Sequence, residues 1–245
     1  MTNEQRVALV TGGSSGIGLG IAKALADTGY RVILIARNED RLREAAATLG
    51  GAASWRCADV GSRREVQKAL AGLDRIDVLV NAAGFIRPVG LGMASDEAEQ
   101  NWDAVIAGNL KGSFLMAHAA APLLSSPGGR IINISSIGAQ TGGSRPGGLA
   151  YAAAKSGLHG LTFALARELA PRRITANVIA PGFVAGTGFT GAWPEDRVSA
   201  IVAETPLSRP GTPADIAGAV VWLASDAAAF VTGALIPVNG GWRIG

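Results

Sequence analysis

The feature that most constrains this chain is an apolar run that breaks into glycines and resumes as an amphipathic helix: "RVALVT" leads straight into "TGGSSGIGLGIAKAL". Gly12, Gly16 and Gly18 stand where a strand must turn into a helix, and glycine allows both the sharp turn and a close backbone approach. A helix that starts there offers unpaired N–H groups and the positive end of its dipole, which suits a pyrophosphate. A lone glycine triplet is weak evidence. The strand before it and the helix after it supply the context that gives it weight.

Six further strand-like runs follow, "RVILIA", "ASWRC", "IDVLVN", "RIINIS", "ITANVIA" and "ALIPVN", spaced by segments long enough for crossover helices. Seven strands joined in this way predict a parallel sheet. Most runs are apolar at successive positions rather than alternate ones, so both faces of the sheet should be covered. The expected fold is α/β, a doubly wound Rossmann-type sheet in one domain over residues 1–245. A chain of this length buries roughly 70 to 75% of its unfolded surface, enough for a core without covalent staples.

Cys57 is the only cysteine and can form no internal bridge, while His118 and His159 stand apart from other soft ligands, so no metal site is expected. The opening "MTNEQRVALVTGG" fits neither a secretory signal nor a transit peptide, and no apolar run reaches the ~20 residues that span a bilayer. These features predict a cytoplasmic protein that does not enter a membrane. The net charge of +3 arises from 22 basic and 19 acidic residues. They are dispersed as short pairs such as Arg63-Arg64, which read as solvated faces and not as a nucleic-acid footprint.

Two stretches interrupt the strand–helix rhythm: "IGAQTGGSRPGGLA" after the fifth strand, and a longer one from Phe183 to about Leu207 after the sixth. Both follow strand carboxyl ends, where open α/β sheets bind ligands. Gly186, Gly188 and Gly191 loosen the second stretch while Phe183, Phe189 and Trp193 give it apolar mass, a composition suited to a lid over an apolar substrate.

The second strand ends at Ala36 and Arg37, where a dinucleotide fold reads the adenosine ribose. A guanidinium there suits a 2′-phosphate and favours NADPH/NADP, with NAD the alternative and a surface position the bland reading. Asp59 after the third strand either accepts from the adenine amine or closes a turn. Asn81 to Gly84, "NAAG", places small residues where backbone approaches the ribose or simply ends a strand.

Tyr151 and Lys155 in "YAAAK" lie one helical turn apart on the same face, and "ISS" ends the preceding strand at Ser136. An ordinary phenol, with a pKa of ~10, is too weak an acid to serve unaided. A cation at ~4 Å in a medium of effective dielectric ~20 would favour the phenolate by about 4 kcal/mol. Lys155 is expected to lower Tyr151 in this way, Ser136 to hold a carbonyl oxygen, and Tyr151 to deliver the proton. Taken singly, the pair also reads as a surface helix repeat, Ser136 as a strand end, and Asn109 in "GNLKGSF" as a helix end.

In their order over nearly the whole chain, "TGGSSGIG", "NAAG", Asn109, Ser136, "YAAAK" and "PGF" resemble the short-chain dehydrogenase/reductase family. The final stretch from "RPGTPADIAG" to "NGGW" further resembles the 3-oxoacyl-[acyl-carrier-protein] reductases within it. The resemblance implies a catalytic tetrad of Asn109, Ser136, Tyr151 and Lys155, the asparagine supporting a helix kink and a proton-bearing water. It implies cofactor contacts from Gly12, Ser14, Ser15, Gly16, Ile17 and Gly18, and from Arg37, Asp59, Val60, Asn81, Ala82 and Gly84. Tyr151, Lys155, Pro181, Gly182 and Val184 complete that set. It also implies a homotetramer, a small-molecule or acyl-carrier-linked carbonyl substrate, and carrier contacts by Arg130 and Arg172. Two departures fall at the substrate mouth: "SRPGG" lengthens the segment between Ser136 and Tyr151, and "AGTG" after "PGFV" displaces Thr187, the candidate carboxamide partner. An epimerase or dehydratase of the extended relatives and a non-catalytic dinucleotide sensor are the competing readings. The first usually needs a larger C-terminal domain, and the second has no need of the phenol–ammonium pair.

Overall fold

The computed structural model describes residues 5–143, 146–191 and 193–244. Seven strands, β1 (Val7–Thr11), β2 (Arg31–Ala36), β3 (Ala53–Cys57), β4 (Val78–Asn81), β5 (Arg130–Ile134), β6 (Thr175–Pro181) and β7 (Leu235–Val238), form one sheet in the order β3-β2-β1-β4-β5-β6-β7. Every pairing is parallel. The order reverses direction between β1 and β4, so the carboxyl ends of these two strands open the crevice in which such sheets bind ligands.

Period-two geometry explains why the strand sequences are apolar at successive positions. Ala8, Val10, Val32, Leu34, Val78, Val80, Ile132 and Ile134 join one core. Their neighbours Val7, Leu9, Ile33, Ile35, Leu79 and Ile131 join another on the opposite face. The first face is covered by α1 (Gly16–Asp27), α2 (Glu39–Leu49) and, from the end of the chain, Pro213–Ala224. The second is covered by α3 (Arg63–Leu70) and by the helices Gly112–Ala120 and Leu149–Leu169. In chain order the remaining helices are α4 (Ser95–Ile106), α5 (Gly112–Ala120), the short α6 (Gly138–Thr141), α7 (Leu149–Leu169), α8 (Glu195–Glu204) and α9 (Pro213–Ala224).

Local sequence sets the helix starts. Asn38 and Ser62 accept from the backbone of Arg41 and Glu65 to cap α2 and α3. Thr212 and Asp215 form a reciprocal capping box on α9, with Pro213 in its first turn. At the start of α1 the N-cap residue Ser15 makes no side-chain cap bond, and this is the helix that the glycines precede.

Both stretches that interrupt the strand–helix rhythm contain a helix of their own. The stretch expected as a lid contains a helix, α8, with Glu195 and Asp196 in its first turn favouring it through the dipole. The segment after β5 contains the single turn α6. Ser144 and Arg145, part of the expected insertion, lie outside the described residues. Among the described residues no helix is long and apolar enough to cross a membrane.

Candidate active site

The glycine loop is built from close approaches that a side chain would forbid. Gly12 and Gly16 adopt positive φ values of 67° and 52°. A Cβ on Gly12 would stand 3.0 Å from the backbone of Ala82 and Ala83, and one on Gly18 would collide with the Gly12 carbonyl. Thr11, not singled out in the sequence, fastens this loop to the end of β4: its Oγ1 accepts from the amides of Ala82 and Ala83 at 3.1 and 3.0 Å. The N-terminus of α1 thus opens toward the crevice on a rigid turn, with Ser14 half-buried, Ser15 exposed and Ile17 packed on the core.

Several candidate contacts are committed to the fold. Asn81 is buried, and its Nδ2 donates to Asn133 Oδ1 at 2.9 Å, tying β4 to β5 at the register pair the two residues share. Its Nδ2 is therefore committed to the core, while its Oδ1 is buried with no hydrogen-bond partner among the described residues. Asp59 closes the turn, accepting from Gly61 N at 2.8 Å through Oδ1. The Val60 side chain is buried against Gly112 of α5. Arg37 is exposed at the end of β2, beside the crevice.

The candidate proton-transfer residues lie together at the carboxyl end of β5. A Cβ on Gly138 would lie 3.3 Å from Ser136 Oγ and 3.8 Å from the Tyr151 ring, so both side chains border one small space. One turn along α7, Lys155 is buried and its Nζ donates to the Ile134 carbonyl at 2.9 Å. Asn109 sits in a π-helical turn, Ala107–Lys111, that joins α4 to α5. Such turns frequently mark functional sites. Its Nδ2 donates to the carbonyls of Phe85 and Val105, each at 2.9 Å, while Oδ1 is buried with no hydrogen-bond partner among the described residues. A side chain on Gly84 would stand 2.5 Å from this Oδ1 and 3.2 Å from Lys155 Nζ. Leaving a buried acceptor unmet costs about 1 to 3 kcal/mol, so the space beside Lys155 is made for a polar guest.

Electrostatics in this site depart from the expectation. Loss of solvent pushes the Tyr151 phenol up to about 12, with a smaller lowering from its hydrogen bond to Ser136. Burial also pulls the Lys155 amine down to about 8. The ammonium lies 5.7 Å from the Tyr151 ring centre and spends a donor on the Ile134 carbonyl, so it does not make the tyrosine a phenolate here. Tyr151 is a protonated phenol at neutral pH. That is the form in which a phenol can give a proton.

The sixth strand supplies the far wall. Pro181 is buried, Gly182 donates to the Val238 carbonyl at 3.0 Å, and buried Val184 bridges to Gly211. Thr187 is buried against Gly16, and its hydroxyl pairs with Thr190 at 3.0 Å; the "AGTG" departure still brings a threonine to the glycine loop. Phe183 stacks on Trp193 at 5.4 Å, and Phe189 reaches the Tyr151 ring at 6.1 Å.

Arg130 and Arg172 do not form an open docking surface. Arg130 is 3% exposed and donates to the carbonyls of Gly128, Gly129 and Ser225, while Arg172 donates to those of Ala121 and Leu124. Both brace the amino-terminal edge of the sheet, opposite to the end where Ser136 lies.

The family profile described as Enoyl-(Acyl carrier protein) reductase matches residues 12–243. The chain is 43% identical to the acetoacetyl-CoA reductase of Shinella zoogloeoides, over 96% of this chain and 98% of that one. It is 40% identical to the 3-oxoacyl-[acyl-carrier-protein] reductase of Escherichia coli K12, over 98% of both. Nodulation protein G of Rhizobium sp. N33 is 41% identical over 96% of each. With a glycine loop opening an uncapped helix and likeness along almost its whole length, the chain belongs to the short-chain dehydrogenase/reductase family of NAD(P)-dependent oxidoreductases.

Proposed function

We propose that the protein reduces the ketone of a 3-oxoacyl thioester or a related carbonyl to a secondary alcohol with NADPH, with Tyr151 as proton donor. The observation that supports this reading is the convergence of Ser136 and Tyr151 on one space, with Lys155 one turn along the same helix as Tyr151. Relatives named as acetoacetyl-CoA and 3-oxoacyl-[acyl-carrier-protein] reductases favour the same substrate class.

The residues present fit a nicotinamide dinucleotide. The uncapped start of α1 takes the pyrophosphate, the backbone from Asn81 to Gly84 lies along the ribose, and the orphan Asn109 Oδ1 with Lys155 Nζ suits a sugar hydroxyl or a water. When bound, a reduced nicotinamide supplies hydride to a carbonyl carbon. Ser136 holds the carbonyl oxygen by its hydroxyl, and Tyr151 gives its proton to the oxygen as negative charge develops there. Lys155 orients the ribose, and Asn109 fixes the π-turn and the polar space beside the lysine. A panel of 3-oxoacyl thioesters, simple ketones and alcohols, followed by nicotinamide absorbance with each cofactor, tests the proposal. Tight NADPH binding with no turnover across the panel would favour a sensor.

Arg37 selects the cofactor in this reading. Arg37→Ala is expected to weaken NADPH about ten- to a hundredfold and NADH little, the worth of a charge-assisted bond to phosphate. Binding titrations with both cofactors check this, and equal losses would count against it. The segment from Phe183 to Leu207 is proposed as the lid, with Phe189 resting against Tyr151 and the Phe183–Trp193 stack as its base. Cofactor with substrate should slow limited proteolysis within it severalfold, whereas an unchanged cleavage rate would show that it does not close. A homotetramer fits the exposed aromatics Trp102, Phe114 and Phe163 on the neighbouring helices α4, α5 and α7.

A further inference from the structure

We propose that Phe85 is a platform presenting two guanidiniums, Arg37 and Arg87, as a pair to the 2′-phosphate of an adenosine ribose. Arg87 lies in "NAAGFIRP", beyond the residues that the sequence pattern singles out. The guanidinium carbons of Arg37 and Arg87 lie 5.2 and 5.8 Å from the centre of the same Phe85 ring, although fifty positions separate the two residues in the chain.

The ring is held from below. The Phe85 carbonyl accepts from Asn109 Nδ2 at 2.9 Å, and the ring packs so closely on Gly108 that a Cβ there would collide with it. The π-turn that carries Asn109 therefore also fixes the platform. Gly108 has to lack a side chain for the ring to lie where it does.

The two cations are not consumed by the fold. Both side chains are exposed, and among the described residues neither guanidinium makes a hydrogen bond or an ion pair. Other arginines are engaged: Arg43 with Glu39 and Asp40, Arg209 with Asp215, and Arg130 and Arg172 with backbone carbonyls. An exposed cation–π contact is weaker than a charge-assisted bond to phosphate, so a guanidinium leaves the ring for such an anion at little cost. The start of α1 already answers the pyrophosphate, and Arg37 ends the strand beside the ribose. The anion left for the pair is a phosphomonoester on that ribose, which carries close to two charges and is matched by two forked donors.

The inference rests on the dinucleotide reading above, and a ligand without nicotinamide separates the two. Calorimetric titration with 2′,5′-ADP and with 5′-ADP tests it on the unaltered protein and on Arg37→Ala, Arg87→Ala, Arg87→Lys and Phe85→Leu. Arg87→Ala is expected to weaken 2′,5′-ADP about tenfold and to leave 5′-ADP unchanged, with partial recovery in Arg87→Lys. Phe85→Leu should weaken 2′,5′-ADP severalfold, and the double alanine variant should bind the two nucleotides alike. If Arg37→Ala weakens 2′,5′-ADP and Arg87→Ala does not, Arg37 acts alone and the pair is wrong while the cofactor choice stands. If the unaltered protein binds the two nucleotides equally, the cofactor choice itself fails and the pair with it.

Discussion

Tyr151→Phe is expected to fold normally, to bind NADPH as before and to lose at least ~10²-fold in turnover, the lower range for a positioned acid–base group. The substitution removes one hydroxyl from a ring whose packing against Phe189 it retains. Ser136 cannot take over the proton, because its ordinary hydroxyl is far less acidic than even a phenol raised to about 12. Steady-state rates with saturating NADPH, together with a cofactor titration, check this. Near-normal turnover would exclude Tyr151 as donor.

Lys155→Met is expected to separate stability from activity. Turnover should again fall at least ~10²-fold, while the protein becomes more stable at pH 7. Folded Lys155 holds its proton less tightly than the unfolded chain does, about 8 against an ordinary 10.5. The unfolded state therefore binds more protons between those values, and stability rises with pH across that window. Below it the full cost of the buried charge is present, about 3 kcal/mol from the difference in pKa. Methionine removes that cost and gives up a bond to the Ile134 carbonyl worth about 1 to 2 kcal/mol. The net gain is about 1 to 2 kcal/mol at pH 7 and disappears above pH ~10.5, where the native lysine is neutral as well. Denaturant unfolding of both proteins from pH 7 to 10.5 measures it. In the native enzyme, kcat/KM for reduction should decline above pH 8 as Lys155 loses its charge, since Tyr151 stays protonated to about 12.

These two residues also show how far the sequence is legible. Their spacing on one helix face, the glycine loop and the seven apolar runs are local patterns, and each is realised because a period of two or of 3.6 determines which side chains share a face. What depends on the environment is less readable. The expected lowering of Tyr151 came from a pairwise charge argument, whereas desolvation dominates in the folded protein and the ammonium is turned to a carbonyl. Asn81 sits at the expected strand end, but its side chain faces Asn133 because the register of β4 and β5 aligns them. Arg130 and Arg172 read as surface cations and are spent on carbonyls of connections distant in sequence. Thr11 gave no signal at all, since a threonine closing a strand is ordinary until the amides of Ala82 and Ala83 are seen on its oxygen.

The central claim is that hydride and proton are added across a carbonyl, not across a carbon–carbon double bond. It is tested most directly by giving the enzyme NADPH deuterated at its transferable hydrogen, with a 3-oxoacyl thioester in one reaction and the matching 2-enoyl thioester in the other, and analysing the products by mass spectrometry. The account predicts a 3-hydroxyacyl product with one deuterium on the carbinol carbon, formed by the native enzyme and all but lost in Tyr151→Phe, and no consumption of the enoyl thioester. Deuterium in a saturated acyl chain formed from the enoyl thioester, with the 3-oxoacyl thioester untouched, would contradict it.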